Sequence, residues 1–207
     1  MRVDSSGNLL VNCTTPLMGA SVGSISNSVS AANNVYWGRN TNATPYGMEV
    51  QYSGAAPNNT GNAFLECYDT GATRVVFRSN GGLANYQANN ANSSDAREKE
   101  NIELAGNYLD KICAIPVKTF NYIDQNREED DGLTLGVIAQ DVQTIAPELV
   151  LESNWGAKGE PEKMRLSIYQ TDLQYALMKS IQELNAKVDA QATTIAELQA
   201  RLPAENA

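Results

Sequence analysis

From Leu177 onward the apolar residues recur in alternating steps of four and three: Leu177, Ile181, Leu184, Val188, Ile195, Leu198 and Leu202, with Gln191 filling the one polar place. That spacing is the 3.5-residue period of a coiled-coil seam. Ile181, Val188, Ile195 and Leu202 take the a positions; Leu177, Leu184, Gln191 and Leu198 take d. A single helix over residues 171–202 would be about 48 Å long, and Pro203 stops it. An apolar stripe with polar flanks has to bury itself, against other helices or against its own domain. Ile or Val at a with Leu at d favours two strands. Gln191 at d works against that preference, because a buried amide needs partners across the axis. The heptads alone leave the number of chains open.

A second boundary lies at Ser93-Ser94, where the composition changes. Residues 1–93 hold four Arg and four acidic residues and are neutral; residues 94–207 hold 11 Lys and Arg and 20 Asp and Glu, and carry the whole net charge of -9. At this seam stands Ser94-Asp95-Ala96-Arg97-Glu98-Lys99-Glu100-Asn101-Ile102. A serine and a lysine five positions apart at such a boundary point to a place where the chain is cut.

Composition narrows the chemistry. A pI near 4.5 argues against a nucleic-acid partner, which calls for a basic face. No apolar run approaches 18 residues, so no membrane span is expected. No apolar stretch follows Met1-Arg2-Val3-Asp4, so no secretory leader is expected, and synthesis is placed in the cytoplasm. Cys13, Cys67 and Cys113 are odd in number and widely spaced, which suits reduced thiols rather than a metal site or a disulfide framework. No cofactor and no metal are expected. The chain has no histidine. That removes a Ser-His-Asp triad, a Cys-His dyad and any His-ligated zinc.

Residues 1–93 are rich in Asn, Gly, Ser and Thr, with short apolar islands such as Leu9-Leu10-Val11 and Asn34–Gly38. Ala63–Tyr68 and Arg74–Arg78 flank Asp69-Thr70-Gly71-Ala72-Thr73, the pattern of a hairpin. No helical period occurs here. Such a chain buries little apolar area alone and is expected to close its core with copies of itself. Residues 79–93 read as a linker, where a cut would be accessible. The strand-like start at Met1 suggests that more chain precedes it.

Downstream, Leu104–Ala114 has helical spacing and ends before Pro116. Val117–Ile123 alternates as a half-buried strand. Residues 124–132 form an acidic loop, Leu133–Val137 a second strand, and Ala139–Ile145 a short helix stopped before Pro147. Leu149–Leu151 and Met164–Ile168 are further strands around a polar loop at 153–162.

Residues 94–202 resemble the C-terminal intramolecular chaperone domain of bacteriophage tail fibres, tailspikes and endosialidases, also classed as peptidase family S74. Four marks in order carry the resemblance. The first is Ser94–Ile102, similar to Ser-Asp-x-Arg-x-Lys-x-Asn-Ile, with Glu98 where the family usually has Leu. Phe120-x-Tyr122 is the second, Gly136–Val142 followed by Pro147 the third, and Tyr169 leading into the terminal helix the fourth.

The resemblance implies an α+β chaperone domain with a long C-terminal coiled-coil helix, preceded by a β-rich fibre segment, in a homotrimer. The domains would then be 1–93, the β-rich end of a fibre or spike, and 94–207, the chaperone. It further implies that the chaperone trimerises and folds the stalk, then releases itself by cutting the Ser93–Ser94 bond. Ser94 would be the nucleophile and Lys99 the general base, with Arg97 and Asn101 as candidate supports. The upstream part would stay in the virion and the chaperone would leave.

A serine hydroxyl needs a base to become a nucleophile. Deprotonating an ordinary lysine at pH 7 costs about 4.6 kcal/mol, which burial or a nearby cation must supply. Arg97 is the nearest cation in sequence, whereas Asp95 and Glu98 would oppose it. Asn101 is a candidate donor to the developing oxyanion. Two other readings compete. One is a non-cleaving structural or receptor-binding tip with a permanent C-terminal clamp. The other is a membrane-tethered regulator, disfavoured by the missing span. The upstream aromatics Tyr36, Trp37, Tyr46 and Tyr52 are candidates for stacking on a host glycan or contacting a protein receptor. With four acidic residues upstream, a glycosidase is not expected.

Overall fold

The computed structural model describes residues 2–5, 9–11, 25–27, 32, 34, 38–45, 47–87, 90–128, 131–157 and 159–201. Cys13, Tyr36, Trp37, Tyr46, Leu202 and Pro203 lie outside the described residues. The chain packs as two compact units, Met1–Gly54 and Ala55–Ala207.

In the first unit, strands β1 (Arg2–Val3), β2 (Leu9–Val11) and β3 (Ile25–Asn27) form one sheet in that order. β1 pairs antiparallel with β2, and β2 pairs parallel with β3. Asparagine side chains shape the turns that follow: Asn40 Oδ1 accepts from the Asn42 N–H, and Asn42 Oδ1 from the Thr44 N–H. Asn side chains offer the backbone such local partners, which is why they replace regular structure here.

The second unit opens with an antiparallel meander, β4 (Ala63–Tyr68), β5 (Thr73–Arg78) and β6 (Leu83–Asn85). The first pair is the expected hairpin. Its turn closes on Asp69, whose Oδ1 accepts from the Gly71 and Ala72 N–H groups at 2.7 and 2.9 Å. Strand β6 corrects the reading of residues 79–93 as linker throughout. Gly81, at φ 83, takes the left-handed turn that returns the chain onto β5. Residues 86–87 and 90–93 carry no helix or strand.

Downstream, helix α1 covers Leu109–Ala114, and a hairpin of β7 (Val117–Phe120) and β8 (Thr134–Val137) follows. Helix α2 spans Ala139–Ile145 and runs into a 3-10 turn at Pro147–Leu149. Strands β9 (Val150–Asn154) and β10 (Met164–Ile168) pair antiparallel, and helix α3 runs from Gln170 to Arg201. This part is α+β with a long C-terminal helix. Gly136 lies under the Phe120 ring, where a Cβ would sit 3.2 Å from the ring edge. That close approach ties the Gly-Val-Ile run to the Phe-x-Tyr mark across the hairpin.

Two expectations shift. Helix α1 begins at Leu109 rather than Leu104, with Gly106-Asn107 in the irregular lead-in. Its first amides are satisfied by a distant side chain: the Glu183 carboxylate accepts from the N–H groups of Tyr108 and Leu109 at 3.0 and 3.1 Å. Strand β7 stops at Phe120, because Asn121 and Gln125 bond to the Gly132 carbonyl and turn the chain.

The core is small. Among the described residues Ile115, Val142, Ala146, Leu149 and Ala176 are the buried apolar side chains, flanked by Tyr108, Ile112, Val137, Ile145, Val150, Ile168 and Leu173. Helix α3 carries two stripes. Leu173, Ala176, Ser180 and Glu183 face its own domain and are buried or half-buried. The heptad residues Leu177, Ile181, Leu184, Val188, Ile195 and Leu198 are all exposed, Ile181 at 67%. The seam therefore does not fold back onto its own domain.

Candidate functional site

The motif at the composition seam folds into a compact turn. Asp95 has extended backbone angles and caps a three-residue 3-10 turn, Ala96–Glu98. Its Oδ1 accepts from the Arg97 N–H at 2.9 Å. The Glu98 N–H donates to the Asp95 carbonyl and the Lys99 N–H to the Ala96 carbonyl, each at 3.2 Å. Capping is what short acidic side chains do best, because the first amides of a turn have no internal partner.

That turn brings two sequence-chosen residues together. Lys99 Nζ donates to Ser94 Oγ at 2.5 Å. Both side chains are exposed, as is Ser93, so the neighbouring peptide bond lies open. The pair can pass a proton between hydroxyl and amine without rearrangement, and it can do so with no histidine.

The candidate supports sit differently. Arg97 turns to Asp95 in a two-pronged contact, Nε to Oδ1 at 3.0 Å and Nη2 to Oδ2 at 2.6 Å. This guanidinium, then the Arg97 N–H, hold the Asp95 carboxyl below its usual range. The carboxylate in turn pushes the guanidinium further up. Asn101 adopts the left-handed region at φ 51. A non-glycine residue there stores local strain, here two residues past Lys99. After it, Ile102 and Leu104 stand exposed, Leu104 at 99%.

Sequence reasoning treated Asp95 only as a charge opposing Lys99. The signal for its cap was present, since Asp95-Ala96-Arg97-Glu98 fits an N-cap followed three residues later by Glu. Glu183 was also missed, and no local pattern announces a partner more than 70 residues away.

A polar cleft of about 410 Å³ opens elsewhere in the second unit, lined by residues from both sides of Ser93-Ser94, among them Asn58, Asn80, Tyr122 and Asp124. Asn58 Nδ2 donates to the Asp124 carbonyl there at 2.5 Å. Of the aromatics considered for glycan contact, Tyr52 is described and is 37% exposed. Among the described residues no group of Cys, Asp and Glu is placed to hold a metal ion. No described helix is long and apolar enough to cross a membrane.

Residues 94–151 match the family Peptidase_S74, chaperone of endosialidase. The match starts at the motif serine and covers the turn, α1, both hairpin strands β7 and β8, and α2. No curated protein matches the chain.

Proposed function

We propose that this chain, whose residues 94–151 match the chaperone-of-endosialidase family, is the assembling end of a phage tail fibre or spike. Three copies gather through helix α3, the β-rich segment 1–93 folds on that template, and the chain then cuts itself between Ser93 and Ser94. The observation that carries the reading is the 2.5 Å contact between Lys99 Nζ and Ser94 Oγ.

The reaction uses that contact in reverse. A charged lysine donates to the hydroxyl; a neutral one accepts its proton. The freed Oγ attacks the Ser93 carbonyl carbon, and the C–N bond to Ser94 breaks as its nitrogen takes up the proton. Water then hydrolyses the resulting ester, leaving a Ser93 carboxylate and a Ser94 amine. In a second route water attacks the carbonyl directly, with Ser94 and Lys99 relaying its proton. In either route Asn101 is the proposed donor to the oxyanion.

An exposed lysine is poorly suited to lose its proton, since burial is what disfavours the charged form. The apolar side chains beside the motif, Ile102 and Leu104, supply a surface for neighbouring copies to cover. Assembly would then switch on the base and tie cutting to a finished trimer. The released chaperone leaves the fibre part in the virion, where a host glycan or protein receptor is its expected partner.

The test is substitution of Ser94→Ala and Lys99→Ala, followed by denaturing electrophoresis and intact mass. Wild type should yield fragments ending at Ser93 and beginning at Ser94, and both variants should stay whole. Splitting at the same bond in both variants would remove the dyad assignment. An intact wild-type trimer would favour the permanent clamp.

A further inference from the structure

We propose that Asp95 is a positioning residue for this cleavage, because it caps the turn that folds Lys99 back onto Ser94. The inference rests on the self-cleavage reading above. Residues five apart in an extended chain are separated by about 17 Å and point to opposite faces. A contact of 2.5 Å between their side chains therefore requires the intervening chain to turn.

Nothing apolar holds that turn. It has three residues, none buried, and a turn this short does not persist by itself. What remains is the Asp95 carboxylate. Its Oδ1 takes the Arg97 N–H, and both its oxygens take the Arg97 guanidinium. The Arg97 side chain is 86% exposed, so it contributes a grip on the cap rather than packing. The same grip engages the negative charge of Asp95 with a partner other than Lys99. An exposed ion pair two residues apart matters little; the Oδ1 cap on the Arg97 N–H is what closes the loop that joins the two reacting side chains.

The experiment compares Asp95→Ala and Asp95→Asn in the full chain, with oligomer size as a control. Asp95→Ala should slow the first-order appearance of cut product by about tenfold, and Asp95→Asn should restore most of the rate, since Asn caps about as well as Asp. In a Ser94→Ala background, where nothing is cut, amide exchange at Arg97–Lys99 should quicken with Asp95→Ala but not with Asp95→Asn. A wild-type cutting rate, or unchanged exchange, in Asp95→Ala overturns the proposal. So does Asp95→Asn cutting as slowly as Asp95→Ala with its turn intact. A wild-type chain that never cuts, while Asp95→Ala still loosens the turn, overturns the cleavage reading and leaves the cap.

Discussion

At Gly156 a methyl group would sit 2.8 Å from the Pro161 carbonyl oxygen and 3.3 Å from the Lys163 nitrogen. Both are backbone atoms and cannot swing aside as a side-chain tip would. The approach is enforced by Asn154, whose Oδ1 accepts from the N–H groups of Gly156 and Lys163 at 2.8 and 2.9 Å. Gly156→Ala should therefore destabilise the domain by about 1–3 kcal/mol, the usual cost of forced overpacking. Denaturant unfolding checks it. Gly136 differs, because its close neighbour is the edge of the half-buried Phe120 ring, which can shift. Single residues of this kind are only half legible in sequence. The Gly/Pro character of 153–162 announces a loop, while the Asn154 brace depends on two strands being paired. The Ser94–Lys99 contact was legible for a different reason: its two residues and the cap that joins them lie within six positions.

At the scale of elements, local period sufficed wherever packing agreed with it. Ala139–Ile145 and Met164–Ile168 form as their spacing predicts, and Ala63–Tyr68 pairs with its neighbour across an Asp/Gly turn. It failed where an end is fixed from afar. Helix α1 starts where Glu183 of α3 receives its first two amides, so no pattern near Leu104 could mark it. Burial works against ionisation of Glu183, but the Leu109 and Tyr108 N–H groups, with Lys179 and Lys187, prevail and hold its carboxyl below the ordinary value. Glu148 is lowered too, chiefly by its contact with Lys111 at 2.6 Å. For carboxylates lowered on folding, the stabilisation is complete above the unfolded value of about 4.3 and is lost as pH falls through the folded one. The junction of α1 and α3 should therefore loosen as pH falls below about 4.3. Glu183→Ala should reproduce that loosening at neutral pH, as faster amide exchange confined to 108–114. Equal exchange in variant and wild type would deny the cap.

Across the whole molecule, the described residues leave far more apolar surface open than they bury. Val117, Leu133 and Leu135 stand exposed along the β7–β8 hairpin, Phe77 and Leu83 along the meander, and the heptad residues along α3. Among the described residues the buried core is five small or medium apolar side chains, a small core for them to share. The heptads could be read in sequence, but not which stripe of α3 its own domain would take; the domain takes Leu173, Ala176 and Ser180 and leaves the seam free. Ile195 tests what the seam is for. It lies well past Glu183, the last half-buried position of α3, and is 54% exposed, so a change there leaves the domain's own packing untouched. Burying such a side chain between helices is worth about 1.5–3 kcal/mol per copy, and placing a carboxylate there reverses the sign. If the proposed trimer holds through this seam, Ile195→Asp should shift the chain from three copies to one in light scattering, with amide-exchange protection below residue 183 retained. Cutting at Ser93-Ser94 should fall with it, because the dyad would stay open to water. A variant that remains trimeric would show that the seam does not hold the copies together. A monomeric variant that still cuts at the wild-type rate would separate the chemistry from assembly.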